Sequence, residues 1–311
     1  MAKPIEKINI TGTETDLVAD ELKPSRKGKL FGKKVAISVS LNEDLLALGL
    51  SEQHLNDISI EIARYIIANE GVAMYGGDLR VGGFTYYFSE LSNQYKKEDD
   101  KSFRFTNYFV FPTTKLLTKD VRIDFKSKQI EINEVRLPNG LVPDNNKKYQ
   151  PADDVQDRLF LSECFRVMRL KMAKDCDARV LVGGKFTNFL GYIPGVIEEA
   201  LYCLENDKPI FLIGGFGGAT QKLIRLIKGE EVEELSNDFQ YNNTFLKKFK
   251  EVSEEKYEYS DFDKLRKKLK KYNVKKLSKL NKLSIEENEV LFGSKNIHEI
   301  VYLMMKGLKS I

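Results

Sequence analysis

From residue 34 onward the chain alternates short apolar runs with longer stretches in which apolar residues recur every three or four positions. Lys34–Ser40 reads as a strand, and Leu55, Ile58, Ile62, Ala63, Ile66 and Ile67 then share one face of a helix that Gly71 ends. A strand over 71–75 leads into Gly76-Gly77-Asp78-Leu79-Arg80-Val81-Gly82-Gly83 and a helix over Phe84–Tyr95. A third strand, 106–111, stops at Pro112. After it Val121, Ile123 and Phe125 alternate with charged residues, 126–129 has turn composition, and Ile130, Ile132 and Val135 follow, which predicts a β-hairpin. Residues 159–178 have helical spacing and feed 178–182, an apolar run of the kind buried in a parallel sheet. A helix opening at Pro194, a strand over 209–213 and a helix over 219–228 repeat the layout, and a last helix spans 296–308. Strand, glycine turn and helix in repetition predict an α/β fold, an open, mostly parallel sheet with helices on both faces. Residues 1–32 show no periodicity and read as an arm. The remainder, 33–311, reads as one domain with a hairpin-bearing insertion at about 115–151 and a charged, helix-prone insertion at 231–285.

Charge changes this picture in one place. Of 311 residues, 50 are basic and 46 acidic, yet residues 246–282 alone hold 14 Lys/Arg against 6 Asp/Glu, a local +8 in a chain of net +4. A run of that kind is either a solvated helical face or an electrostatic footprint for nucleic acid, and its sparse aromatic residues favour the solvated face. At 42% apolar residues the chain has enough to build a full core. No apolar run approaches the roughly 18–20 residues of a membrane span, and the first 16 residues lack the apolar centre of a signal peptide, so a cytoplasmic protein without a membrane partner is expected. Cys164, Cys176 and Cys203 have no C-x-x-C spacing and are expected to be reduced and buried.

The chemistry concentrates at three glycine turns, 76–83, 183–184 and 214–218, each directly after a strand and therefore all on one edge of the sheet. Glycines there let backbone N–H groups approach a phosphate, helped by the positive end of the next helix. None of the turns has the spacing of a P-loop or a dinucleotide fingerprint, and no G-x-S-x-G elbow exists. His54 and His298, the two histidines, lie on helical patterns, so no metal site is expected. The candidate ligand-binding residues are Gly76, Gly77 and Arg80 at the first turn, Gly183, Gly184 and Lys185 at the second, and Gly214, Gly215, Phe216 and Gly217 at the third. Arg166 and Arg169 on the incoming helix and Gly195 and Glu199 on the outgoing one join them, because guanidinium groups fork onto phosphate and a carboxylate accepts from vicinal hydroxyls. Glu199 lies within about 60° of the apolar stripe of Val196, Ala200 and Leu204 and should face the ligand, whereas Glu198, about 100° further round, should be more solvated.

The runs Phe165-Arg166-Val167-Met168-Arg169, 178–185, 191–200 and 209–219 resemble the SLOG superfamily, which joins the DprA/SMF and LOG proteins. Within it they are most similar to the SLOG domains that accompany TIR or sirtuin-like NADase domains in bacterial anti-phage systems such as Thoeris. The resemblance covers roughly 33–230 and 286–309. It implies a Rossmann-like fold and an ADP-ribose or cyclic ADP-ribose type of ligand, or another NAD-derived nucleotide signal, with no further cofactor, and it puts the ligand contacts on Arg169, Lys185 and Glu199. There is no pattern for a TIR or sirtuin-like catalytic domain, so a separate TIR or NADase partner is expected, together with a homo-oligomer. LOG-type phosphoribohydrolases carry PGG-x-GT-x-x-E, whereas here Gly-Gly-Lys and Pro-Gly-Val-Ile-Glu-Glu are separated by residues 186–193. Two readings therefore stand, a nucleotide sensor and a nucleotide N-glycosidase using Glu198 or Glu199. Nucleic-acid binding in the manner of DprA rests on the 246–282 run alone.

Overall fold

The computed structural model describes residues 27–311 except 78, 98–100, 139 and 153; residues 1–26 of the expected arm lie outside the described residues. Six parallel strands form one sheet in the order β4-β3-β2-β1-β5-β6. They are β1 (Lys34–Ser40), β2 (Val72–Gly76), β3 (Phe105–Phe109), β4 (Ile130–Glu134), β5 (Ala178–Gly183) and β6 (Ile210–Ile213). Side chains alternate between faces. Ala36, Met74, Leu181 and Leu212 meet α4 (Val155–Asp175), α5 (Gly195–Glu205) and α6 (Gly218–Ile227) on one side. Val35, Ile37, Val180 and Ile213 meet α1 (Glu52–Ala68), α2 (Phe84–Tyr95) and α12 (Ile297–Ser310) on the other. The chain winds outward from β1 to β4, then α4 carries it back to β5 on the opposite side of β1. The topological switch point is thus between β1 and β5, where open α/β sheets leave a crevice at the carboxyl ends of their strands.

The expected β-hairpin is not there. Lys119–Ser127 is a helix, α3, capped by Thr118, whose side chain accepts from Val121 N at 3.3 Å, and β4 then runs parallel to β3. Val121 and Phe125 are four residues apart as well as members of an alternating trio, so helical spacing serves them equally; Phe125 packs on Phe109, and Ile123 is left exposed. A parallel neighbour also needs a crossover, which α3 supplies. Residues 27–32, expected within the arm, pack on the domain, with Leu30 fully buried.

Residues 231–285 are helical, with α7 (Asn237–Gln240), α8 (Thr244–Glu254), α9 (Phe262–Leu269) and α10 (Val274–Asn281). Phe249, Phe262, Leu265, Leu269 and Leu277 are fully buried in the core shared with α4, α5 and α6. The opposite face carries the lysines, several of them paired, as in Lys268–Glu205 and Lys270–Glu231. The segment ends against the sheet: Asn281 Nδ2 donates to the carbonyl of Ile210 on β6 at 3.0 Å, and α11 (Ile285–Gly293) follows along that strand. Among the described residues no helix is long and apolar enough to cross a membrane.

Candidate functional site

A cavity of about 340 Å³ opens at the carboxyl ends of β1, β2 and β5, beside the switch point. Ser40, Gly76, Arg80, Lys185 and Glu199 line it together with Arg169 and Gly195, and Phe165, Met168 and Phe189 form its apolar wall. A second space of about 250 Å³ continues it past Arg80 and Lys185 to Gly82, Gly83 and Phe84. Two helices begin at this cleft, α5 after Pro194 and α2 after Gly83, and neither has a side-chain cap. The N–H groups of a helix's first turn have no partner within the helix, so both starts present unpaired donors to the cleft.

Beneath the cleft lies a charge cluster assembled from three elements. Arg169 Nη1 of α4 donates to Glu198 Oε2 at 2.5 Å, and its Nε is 3.8 Å from Glu199 Oε1. Glu199 Oε2 in turn meets Nη1 of Arg179 on β5 at 2.9 Å. Arg179 is fully buried and also donates to Ser38 Oγ at 2.8 Å and to Cys203 Sγ at 3.3 Å. Burial pushes the Glu198 carboxyl above its ordinary range, against the pull of Arg169 and Tyr202, while the bond from Cys176 and the charge of Arg179 lower the Cys203 thiol below its ordinary range. The two arginines thus face two carboxylates within the cluster. Lys185 lines the cleft and has no ion pair among the described residues, so no carboxylate among them cancels its charge.

Glycines make room for this arrangement. A Cβ on Gly195 would lie 2.5 Å from Arg169 Nη2, and one on Gly191 2.8 Å from Nη1. Gly183 and Gly184 adopt φ of 63° and 98°, and Gly184 both donates to Ser40 O at 2.9 Å and accepts from Ala219 N at 2.7 Å, which ties β5 to β1 and α6.

Other expected residues stand elsewhere. The third glycine turn is filled by the chain itself. Gly218 N donates to Asp44 Oδ2 at 2.9 Å, and Lys222 Nζ meets the same oxygen at 2.6 Å, so the start of α6 already holds a carboxylate. A Cβ on Gly214 or Gly215 would strike the carbonyl oxygens of Phe292 or Ser294 at 2.3 and 2.1 Å, Gly217 faces Asp44, and Phe216 is buried in the core. These four residues serve packing and do not reach the cleft. Gly77 abuts Thr85 and Asn107. Arg166 forks onto Glu163 at 2.6 and 2.7 Å and lines a different cavity, of about 500 Å³, with Tyr149 and Tyr192. Glu198 is fully buried instead of solvated, because the 231–285 insertion covers the outer face of α5. Sequence reasoning missed Arg179 and Asp44. An arginine inside the otherwise apolar run 178–182 was a usable signal, since a charge at the centre of a two-sided sheet requires a partner.

A family model described as SLOG cluster2 matches residues 29–291 of the chain. No curated protein matches it.

Proposed function

The chain belongs to the SLOG family, cluster 2, by the match over residues 29–291, and on that premise we propose that it is a sensor of an ADP-ribose-related or other NAD-derived nucleotide. The observation that carries the reading is the convergence of two uncapped helix starts, α2 and α5, with Lys185 on one cleft at the switch point. Phosphates suit those N–H groups. The Glu199 carboxylate at the cavity wall suits the vicinal hydroxyls of a ribose, and Phe165 and Phe189 suit the face of a base. The same proposal includes a separate TIR or sirtuin-like NADase that makes the nucleotide in an anti-phage setting, and a homo-oligomeric sensor; the family resemblance supports both.

The LOG-like alternative, a nucleotide N-glycosidase, has one observation in its favour: Glu199 lines the cavity, whereas Glu198 is sealed behind Arg169. Incubation with NAD, ADP-ribose, cyclic ADP-ribose and nucleoside monophosphates, followed by chromatography for free base and by thermal melting, separates the two. A sensor returns the ligand intact and melts higher, by about 2.7 kcal/mol of stabilisation at 100 times the dissociation constant. Glu199→Gln then weakens binding. In a glycosidase the same change spares binding and abolishes base release. If no nucleotide raises the melting temperature, the sensor reading fails.

A further inference from the structure

We propose that the helical insertion is a working part of the cleft: Tyr257, acting through Tyr202 and Glu198, holds Arg169 at the cavity wall and is a positioning residue of the site. The proposal rests on the nucleotide reading of that cleft for its functional consequence, though not for its geometry.

Tyr257 is buried in the turn between α8 and α9, and its hydroxyl is 3.2 Å from that of Tyr202 on α5. The Tyr202 hydroxyl is 3.0 Å from Glu198 Oε1. A phenol has one proton to give and an ionised carboxylate can only accept, so Tyr202 donates to Glu198 and its oxygen accepts from Tyr257. The relay thus has one direction, from the insertion through α5 to Arg169, which donates to the other oxygen of Glu198. Among the described residues Glu198 is the one hydrogen-bonded acceptor of Arg169, whose buried Nε has none. Releasing Glu198 therefore leaves the guanidinium without a hydrogen-bonded carboxylate, with only the longer 3.8 Å approach to Glu199 Oε1 to hold it. Packing supports the same link: the Tyr192 ring lies 5.1 Å from Tyr257 and 6.3 Å from Phe249 of α8, next to Gly191, against which Arg169 rests. A phenylalanine fills the volume of Tyr257, so its hydroxyl is the part with no packing duty.

The groups facing Glu198 are Arg169 and Arg166 from α4, Tyr192 from the loop before α5, Tyr202 from α5 itself and Tyr257 from the insertion. Burial already drives this carboxyl upward. Loss of the Tyr257 donor weakens the support for its charge, so Glu198 takes up a proton at higher pH and lets Arg169 go there.

The test uses the full chain with Tyr257→Phe, and Tyr202→Phe as a second break in the same relay. Tyr259→Phe is the control, because that hydroxyl lies 3.5 Å from Glu205 and outside the relay. ADP-ribose titrated across pH is expected to bind each relay variant about three- to tenfold more weakly, the scale of one hydrogen bond, with the acid limb of the affinity profile moved to higher pH. Tyr259→Phe should match the parent in both. A ligand-free arm follows modification of Arg169 by phenylglyoxal, mapped by mass, and should show faster reaction in both relay variants. If the parent binds no ADP-ribose, the nucleotide reading fails for that ligand and the phenylglyoxal rates decide the relay alone. Unchanged Arg169 reactivity in the two relay variants, or ADP-ribose affinity and pH profile equal to the parent's, would overturn the proposal.

Discussion

Replacing Gly195 with alanine places a methyl group 2.5 Å from Nη2 of Arg169 and 3.0 Å from its Cζ. Two opposed effects follow. Alanine is favoured over glycine in a helix by up to about 1 kcal/mol. Against this, ordinary non-bonded contact needs about 3.5 Å, so the guanidinium retreats by roughly 1 Å. Its bond to Glu198 is 2.5 Å long, and such a retreat stretches it to about 3.5 Å, the outer edge of hydrogen-bonding range, where most of its strength is gone. A hydrogen bond to a charged group is worth about 1.5–3 kcal/mol, which leaves a net loss of about 0.5–2 kcal/mol. The expected result is a lower melting temperature by circular dichroism and, in calorimetric titration with ADP-ribose, at least tenfold weaker binding, because Arg169 no longer stands at the cavity wall. A Gly195→Ala protein that melts as high as the parent and binds ADP-ribose as tightly would refute the reasoning, since neither the clamp on Arg169 nor its place in the site would then hold.

Lys185→Ala, which breaks no ion pair among the described residues, should weaken ADP-ribose binding at least tenfold without moving the melting temperature, the scale of one charged contact to phosphate. Arg169→Ala should instead also cost stability, toward the about 3–5 kcal/mol typical of a broken buried pair, because it strands Glu198; denaturant titration reads the difference, and Glu198→Gln in the same chain should recover part of it. Asp44→Ala vacates the start of α6 and leaves Lys222 only its 3.7 Å approach to Glu234, so the melting temperature should fall, and millimolar inorganic phosphate should raise it more in the variant than in the parent. Cys203 is an acid whose thiol is lowered in the fold by the bond from Cys176 and the charge of Arg179, so its stabilising charge is fully present above the ordinary thiol range and is lost as pH falls through the lowered value. The melting temperature of the parent should therefore exceed that of Cys203→Ser by more at pH 9 than at pH 6; an equal gap at both would show that the thiol does not ionise there.

Elements whose pattern is satisfied locally were legible in the sequence. β1 and α2 have the bounds that their apolar spacing predicts, and the glycine turns do follow strands. What escaped depends on partners that are distant in sequence. Asp44 reaches Gly218 across 174 residues, so nothing near the third glycine turn reveals that its helix start is already occupied. The phase of α5 gave Glu199 its inward side, yet Glu198 is buried because a separate insertion roofs the helix, a fact that no helical wheel contains. Residues 121–125 were ambiguous for a different reason, since three apolar residues at spacing two also satisfy spacing four.

The carbonyl of Ile210, capped by Asn281, bears on how the chain behaves in company. A parallel sheet leaves two unpaired margins, and each is an invitation to a strand from another copy. At the β4 margin Glu131 and Glu134 interrupt the apolar sequence with charge. The β6 margin, Ile210–Ile213, is wholly apolar and has no such deterrent of its own; its cover is the end of the insertion together with α11, with the Asn281 carboxamide also bonded to Asn288 of α11 at 2.8 Å. A version of the chain shortened between 231 and 285 would lose the Asn281 cap and leave α11 alone to cover that strand. The thinner cover makes edge-to-edge association of copies easier, so the insertion bears on colloidal behaviour as well as on the cleft.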